Sequence, residues 1–357
     1  MSPRRAAPRF DEQVLERLST LPGVSGGEDA VRRAVVELVR DHVDTLEIDP
    51  MGSLIARIGP AGASGRGRGR APHVMLCAHM DEVGIMVTGI EKDGRLRFRS
   101  VGGIDPRLLP SQPFRVGPRA VSGVVGMLPP HLVRKTEWER ILPEKELYLD
   151  IGASSREEAE TVVSLGDFGV FDTEFERWGR IRKGKAFDDR AGSSVLVSLV
   201  RSRPPVPVTA VWSVQEEVGL RGATAAGRRV APDLAIVLEG TFSNDAPGLA
   251  PEEQFPSLGG GPVLTVHDRS LLAHEKLLGI LRGAAARHRI PVQVKRPGLG
   301  ATDAGRISLA GTGVPSAVVS VPCRYIHAPA ALLDVRDAER TVALVWHALD
   351  ALRKEWP

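Results

Sequence analysis

The apolar and polar residues of this chain recur with the period of a helix in some regions and of a strand in others. Around residues 29–39, apolar residues recur three and four positions apart, which predicts a helix that buries one face. The recurring residues are Val31, Ala34, Val35, Leu38 and Val39. Ser25 and Glu28 have capping-box spacing just before this helix. Further along, the apolar run at 74–78 predicts a buried strand.

From about Gly84 to Asp172 the pattern becomes rich in short strands and is interrupted by glycine and proline. In one stretch Leu96 and Phe98 alternate with three arginines, which is the period of a half-exposed strand. This pattern of short predicted strands differs from the pattern of the regions on either side. The segment 84–172 is therefore predicted to be a small β-rich domain inserted into the chain.

Strands and helices alternate again from Lys183 onward, and a predicted amphipathic helix from Arg336 to Trp356 closes the chain. Uniformly apolar strands that alternate with helices are typical of a mostly parallel sheet covered on both faces. We therefore predict an α/β fold in which residues 1–83 and 173–357 form one domain. Its mostly parallel central sheet is flanked by helices, and the β-rich domain is inserted into it.

Composition narrows the class of protein. The 357 residues carry a net charge of +3, and no stretch approaches the roughly 20 apolar residues that a membrane span needs. Two cysteines, Cys77 and Cys323, exclude a disulfide framework and fit a reducing compartment. Each is expected to be a small buried hydrophobe rather than a metal ligand or a redox group. We expect a soluble, cytoplasmic protein without a membrane partner.

A basic run from Gly65 to Arg70 raises the question of a nucleic-acid partner. The run is rich in glycine and lacks aromatic residues, and no nucleic-acid-binding module surrounds it. A solvated loop is therefore expected, and nucleic acid is not an expected partner.

Acidic and imidazole side chains lie at the ends of the predicted core strands, and Asp188 directly precedes a helix. The strand-end residues are His79, Glu216, Glu217, Glu239 and His327. Singly, each has an ordinary explanation as a core histidine, a surface acid or, for Asp188, a helix N-cap. Together they should meet at one edge of the sheet, where clustered carboxylates repel one another unless cations compensate them. The set predicts a site for two divalent cations, with ligands suited to zinc, cobalt or manganese.

Five motifs, in their order and spacing, resemble the M42 family of dinuclear-metal aminopeptidases, which are the tetrahedral or TET aminopeptidases. The motifs are AHMDEVG, GKAFDDRAG, QEEVGLRGA, GATDAG and RYIHAP. The resemblance covers nearly the whole chain and includes the inserted β domain, which that family uses in dimerisation. It implies a metal-dependent aminopeptidase acting on peptides, with a dimer as building block and the option of a hollow dodecamer.

The resemblance also implies a ligand set for two metal ions, zinc first and cobalt or manganese as alternatives. His79 and Glu239 would bind one ion, Glu217 and His327 would bind the other, and Asp188 would bridge the two. Position 239 is frequently aspartate in the family. Glutamate keeps the carboxylate there, but its extra methylene moves the donor oxygen.

Two catalytic roles follow from the same resemblance. Glu216 would be the general base that takes a proton from the metal-activated water and passes it to the departing amine. Asp81 would orient the His79 ring through a hydrogen bond. Asp245 and Asp303 also fall in family-like motifs, and we assign them structural or supporting roles only.

Two other functions stay open on the sequence. The same site would suit an amidohydrolase or deacylase that acts on small N-acyl molecules. A chain with a vestigial site would instead be a non-catalytic assembly subunit, although the full ligand set together with Glu216 favours an enzyme. A metal-free glycosidase needs two carboxylates and would not need His79 and His327. The sequence does not indicate which N-terminal residue the enzyme prefers.

Overall fold

The computed structural model describes residues 6–59, 71–132, 139–250 and 253–356. The basic run at 65–70 lies outside the described residues. The α-helices of the described part are α1 (Glu12–Thr20), α2 (Asp29–Val39), α3 (Arg156–Glu160), α4 (Phe187–Arg201), α5 (Arg221–Val230), α6 (Glu275–His288), α7 (Asp303–Ile307) and α8 (Val335–Glu355). Among them, no helix combines the length and the apolar character needed to cross a membrane.

The strands divide between a large sheet and a small closed barrel. In chain order they are β1 (Thr45–Ile48), β2 (Leu54–Ile58), β3 (Val74–His79), β4 (Gly84–Ile90), β5 (Leu96–Val101), β6 (Pro113–Val116), β7 (Val121–Gly126), β8 (Tyr148–Asp150), β9 (Phe168–Phe171), β10 (Glu176–Trp178), β11 (Ile181–Gly184), β12 (Val208–Ser213), β13 (Leu234–Phe242), β14 (Val263–Thr265), β15 (Gln293–Val294), β16 (Ser316–Arg324) and β17 (Ala331–Asp334). Strands β4 to β9 form the barrel, and the others form the sheet in the order β1-β2-β12-β3-β13-β16-β17-β11-β10, with β14 and β15 attached beside β16.

The centre of the large sheet is parallel and its flanks are antiparallel. β12, β3, β13 and β16 run parallel to one another, whereas β2 and β17 pair antiparallel with β12 and β16. The predicted α/β class is confirmed, but the sheet is mixed, and the parallel arrangement holds for these four central strands. Parallel strands finish at a common edge, so the segments that follow β3, β12 and β16 meet there.

Successive residues of β3 pack on opposite faces of the sheet. Val74, Leu76 and Ala78 belong to the large core that includes α4, whereas Met75 and Cys77 pack with side chains of α5 and α7. All six residues of the strand are buried. Burial on both faces explains why the sequence of this strand is uniformly apolar rather than alternating.

The barrel has a hydrophobic core of its own, and its strands all lie between Gly84 and Phe171. Leu96 and Phe98 of β5 are buried in this core, and the arginines at 97 and 99 are exposed, as the period-two pattern predicts. The chain enters the barrel five residues after the end of β3 and returns to the large sheet shortly before α4. The barrel is therefore attached beside the candidate site.

The predicted capping box before α2 is wrong. Glu28 is the N-cap residue, but no side chain caps the helix. The Ser25 hydroxyl instead donates to Asp81 Oδ2 (2.6 Å), and the Glu28 carboxylate accepts the Gln215 N–H (3.1 Å). Ser25 thus bonds to a distant residue and does not cap the helix, while Glu28 accepts both the local Gly26 N–H (2.8 Å) and the distant Gln215 N–H; both side chains are buried.

Candidate metal centre

Asp188 lies between two histidines that come from distant parts of the chain. Its Oδ1 is 3.2 Å from Nε2 of His79, at the end of β3, and its Oδ2 is 3.3 Å from Nε2 of His327, in the loop after β16. Asp188 stands at the start of α4 with non-helical backbone angles (φ −88°, ψ 103°). A carboxylate with each oxygen facing a different imidazole is suited to being shared by two cations.

One glutamate lies beside each histidine. Glu239 Oε2 is 3.5 Å from His79 Nε2, and Glu217 Oε1 is 3.1 Å from His327 Nε2. Glu239 is inside β13, which continues for three residues beyond it, so it is not at a strand end as the sequence predicted. Ligand atoms of His79, Asp188 and Glu217 lie within 4.8 Å of one another. All five residues predicted as metal ligands are therefore close together.

Each histidine makes a second contact through its other ring nitrogen. His79 Nδ1 is 3.1 Å from the carbonyl oxygen of Asp81 and 3.4 Å from its Oδ1. His327 Nδ1 is 3.1 Å from the carbonyl oxygen of Gly103, in the loop that follows β5 of the barrel. Both contacts suit an Nδ1–H donor, and both Nε2 atoms face Asp188, as in metal-binding imidazoles.

The Asp81 carboxylate holds the backbone of the two adjacent glutamates. Oδ1 accepts the N–H of Glu216 (3.0 Å), and Oδ2 accepts the N–H of Glu217 (3.0 Å) and the Ser25 hydroxyl (2.6 Å). Neighbouring residues of a strand point to opposite faces, but β12 ends at Ser213, before the pair. The turn that Asp81 anchors allows both glutamates to line the same cleft.

Asp189 is a buried residue of the site that the sequence reasoning missed. Its Oδ2 accepts the His79 N–H (3.1 Å), and its Oδ1 accepts the Gly192 N–H (2.8 Å). Asp189, and not Asp188, thus accepts a backbone N–H near the start of α4. Ligand atoms of His79, Asp189 and Glu239 also lie within 4.8 Å of one another. The doubled aspartate was the available signal, because one carboxylate can cap a helix while its neighbour has another role.

The carboxylates of the site are buried close together, which makes their negative charges unfavourable unless a cation compensates them. Loss of hydration raises the pKa of Glu216, Glu217 and Glu239, and neighbouring carboxylates add to the rise. Burial by itself would lower the pKa of His327, but the Asp188 and Glu217 carboxylates outweigh it and raise that pKa to about 11. Glu239 Oε1 is buried and has no hydrogen-bond partner among the described residues. A divalent cation would satisfy such an oxygen, so the residues present fit a metal centre.

Asp245 and Asp303, the acids given supporting roles, each have a partner of their own. Asp245 Oδ2 forms an ion pair with Arg324 (2.6 Å), which lowers its pKa to about 2 against the opposing effect of burial. Asp303 is buried and accepts the Ser213 hydroxyl, and burial raises its pKa to about 6. Cys77 Sγ is 3.8 Å from Asp303 Oδ2. Both cysteines are free and buried, and burial raises the pKa of both thiols.

A buried ion triad, formed by Glu82, Lys185 and Arg190, lies next to the site. Lys185 Nζ is 2.7 and 2.8 Å from the two Glu82 carboxylate oxygens, and an Arg190 guanidinium nitrogen is 3.1 Å from one of them. None of the three side chains is more than 4% exposed. The triad ties the residue after Asp81 to the start of α4, which carries Asp188. The sequence analysis missed it, because charged residues in a turn are usually solvated.

The site opens onto a cleft of about 590 Å³. One part of its lining is formed by the metal-centre residues Asp188, Glu216, Glu217, Glu239 and His327. Other lining residues include Phe242, Lys295, Gly300, Thr302 and Arg306. Gly103 from the barrel loop also contributes, so the sheet edge and the barrel together shape the cleft.

Comparison with known proteins identifies the family. The profile of the M42 glutamyl aminopeptidase family matches residues 59–344. The lysyl aminopeptidase of Pyrococcus furiosus is 36% identical over 363 residues, which cover 96% of this chain and 98% of that protein. The family profile thus includes most of the elements that build the site.

Solved structures agree with this result. An aminopeptidase from the archaeon Desulfurococcus kamchatkensis is similar with a TM-score of 0.88 and 35% identity, over 97% of each chain. The Pyrococcus horikoshii TET1 peptidase, which can assemble into a tetrahedron or a large octahedral shell, has a TM-score of 0.83 and 31% identity over 94% of this chain and 98% of that chain. The chain therefore belongs to the M42 peptidase family and is a peptide hydrolase.

Proposed function

We propose that this enzyme is an aminopeptidase that removes the N-terminal residue of peptides with the help of two divalent metal ions. M42 peptidases are metal-dependent, and the described residues include clusters able to hold a metal ion. The observation that carries the proposal is the position of Asp188, whose oxygens face Nε2 of two different histidines. His79 and Glu239 would hold one ion, and Glu217 and His327 would hold the other. Asp188 would bind both ions.

Imidazole and carboxylate ligands make zinc the expected metal, with cobalt and manganese as alternatives. Bound there, the ions would polarise the scissile carbonyl and the attacking water. Glu216 is the proposed general base, because it lines the cleft beside the proposed metal ligands and a carboxylate there can accept a proton from the attacking water. It would accept a proton from the water and donate it to the departing amine. Asp81 would position the Glu216 backbone and the His79 ring.

Removal of the metal tests this proposal. Dialysis against EDTA is expected to abolish hydrolysis of aminoacyl-anilides, and re-addition of zinc, cobalt or manganese is expected to restore it. The melting temperature should fall in parallel, because the buried carboxylates would then repel one another without compensation. Elemental analysis of the active protein should find two metal ions per chain.

The same experiment separates the other functions if N-acyl amino acids and glycans are assayed in parallel. Hydrolysis of N-acyl substrates without action on free N-termini would indicate an amidohydrolase or deacylase. A protein that binds two ions and hydrolyses none of the substrates would be a non-catalytic subunit. Full activity in protein that elemental analysis shows to be free of metal would overturn the metal-dependent mechanism.

We also propose that residues 84–172 form a self-association domain inserted into a catalytic domain made of residues 1–83 and 173–357. The TET1 relative assembles into closed shells. In this chain the inserted segment has large apolar side chains that are exposed to solvent. Leu128, Leu132 and Leu165 are 56%, 62% and 66% exposed. Such exposure is typical of protein–protein contact surfaces when it is clustered. Sedimentation velocity should show a dimer or a larger closed assembly, and a strict monomer would contradict this proposal.

A further inference from the structure

Lys295 is a nearly buried lysine in the wall of the cleft, directly after β15. The residue is only 5% exposed, and its backbone N–H donates to the Leu264 carbonyl oxygen (3.0 Å). Within the described residues, its ammonium has no hydrogen-bond acceptor and no ion pair; it lies 4.7 Å from the centroid of the Phe242 ring. The side chain as a whole is mostly withdrawn from water, and an ammonium group at the end of such a side chain is favoured by an anionic partner. We therefore look for the anionic partner of Lys295 among the molecules that bind in the cleft.

A purely structural role for Lys295 would be to balance the acids of the metal centre. Burial lowers the pKa of Lys295, and the negative charges of Glu239 and Asp188 act against this and favour the ammonium. None of these carboxylates is within ion-pair distance of Nζ, and both already face His79. The acids thus favour the charged lysine from a distance but form no ion pair with it.

The surroundings of Lys295 leave room for a ligand. Asp268 and Glu216 also act on its charge, but within the described residues neither forms an ion pair with it. Gly300 lies beside it, and a Cβ added at this glycine would be 3.3 Å from Nζ. Arg306 of α7 is a second, exposed cation in the same lining. The acidic residues of the lining are the carboxylates of the proposed metal centre and Glu216. The lining that is free to meet a substrate side chain is therefore positively charged.

We infer that Lys295 is the specificity-determining residue of this enzyme and that it selects peptides whose N-terminal residue is acidic. This rests on the proposed aminopeptidase function, in which the side chain of the first residue must lie in the cleft next to the bond that is cut. A glutamate or aspartate side chain there would give the ammonium its missing partner through a charge-assisted hydrogen bond. Family membership does not decide this, because the family profile is named for glutamyl and one relative for lysyl substrates.

The test compares glutamyl- and glutaminyl-anilide, which have nearly the same shape and differ in charge. Wild-type, metal-loaded enzyme is expected to prefer the glutamyl substrate about 10- to 100-fold in kcat/KM, the value of a hydrogen bond between charged groups. Lys295→Gln should remove this preference, because kcat/KM should fall far more for the glutamyl substrate than for the glutaminyl and alanyl substrates. Lys295→Arg should retain the preference, and Lys295→Glu should turn it towards lysyl-anilide.

Arg296→Gln is the matched control, because it removes the same charge one residue away. Arg296 is exposed and pairs with Glu253 (3.3 Å) outside the cleft lining, so its variant should keep the wild-type preference. An equal loss of kcat/KM on all substrates in Lys295→Gln would show a merely structural role. A wild-type enzyme that cleaves glutaminyl- or lysyl-anilide as well as glutamyl-anilide would also overturn the inference.

A binding measurement separates this inference from the proposed function. Calorimetric titration with free L-glutamate and L-glutamine uses the two product amino acids as probes and needs no turnover. Tighter binding of glutamate to the wild type, lost in Lys295→Gln, would support the role of Lys295 even if no anilide were hydrolysed. Equal binding of the two amino acids by an enzyme that hydrolyses anilides would overturn the specificity alone.

Discussion

Replacement of Glu216 by glutamine is expected to lower kcat by about 10²- to 10⁴-fold, which is the usual contribution of a positioned general base. Glutamine keeps the shape of the side chain but cannot accept a proton. The backbone N–H that Asp81 holds is unchanged by the substitution. Steady-state kinetics on an aminoacyl-anilide, together with elemental analysis of the same sample, measures both activity and metal content.

Metal content is the decisive control for Glu216. The carboxylates that face the Nε2 atoms of the two histidines belong to Asp188, Glu217 and Glu239, so Glu216→Gln should bind as much metal as the wild type. Asp81→Asn should behave differently and weaken metal affinity about 10- to 100-fold, as loss of a residue that orients a ligand does. Loss of metal in Glu216→Gln would make Glu216 a ligand, and retention of most of the activity would exclude it as the base.

Replacement of Glu82 by glutamine is expected to lower the free energy of unfolding by about 3–5 kcal/mol, because it leaves two buried cations without their counter-charge. Glu82 is the acid of the buried ion triad, and its partners Lys185 and Arg190 are 4% and 0% exposed. Desolvation already lowers the pKa of both partners, and Glu82 acts against this. Urea denaturation followed by circular dichroism, on metal-free protein, measures the change.

Glu47→Gln serves as the surface control for Glu82. Glu47 pairs with Arg229 at 3.0 Å, but the two side chains are 36% and 45% exposed. Such a pair contributes about 0–1 kcal/mol, so the variant should unfold almost like the wild type. If Glu82→Gln lowered the free energy of unfolding as little as Glu47→Gln, the triad would have to be hydrated in solution. That result would contradict its role in stabilising the start of α4.

Much of the fold and the main ligands could be predicted from the sequence because both depend on local patterns. The uniformly apolar run before His79 is explained by burial of β3 on two faces. The alternation of arginine with Leu96 and Phe98 matches one buried and one exposed face of β5. Residues at the ends of parallel strands share an edge, and for this reason His79, His327 and the glutamates could be expected to meet before any coordinates were known.

The expectations that failed concern side chains with several partners available. Ser25 has the spacing of a cap for α2, yet it donates to Asp81, because that carboxylate is brought close by the end of β3. Asp189 was not expected in the site, yet its carboxylate accepts the Gly192 N–H near the start of α4, whereas Asp188 faces two imidazoles. Spacing along the chain predicts which hydrogen bond a side chain could make to a near neighbour. It does not show whether a partner from a distant segment binds the side chain instead.

The sequence by itself determined which residues form strands and helices, which faces are buried, and which acids and histidines gather at one edge of the sheet. Only the tertiary structure decided that the barrel loop at Gly103 contacts His327, that Glu82 joins two buried cations, and that Lys295 enters the cleft without a partner. The physical reason is that periodicity reports the direction of a side chain relative to its own element. What that side chain meets depends on segments a hundred or more residues away, whose arrangement is settled only by packing.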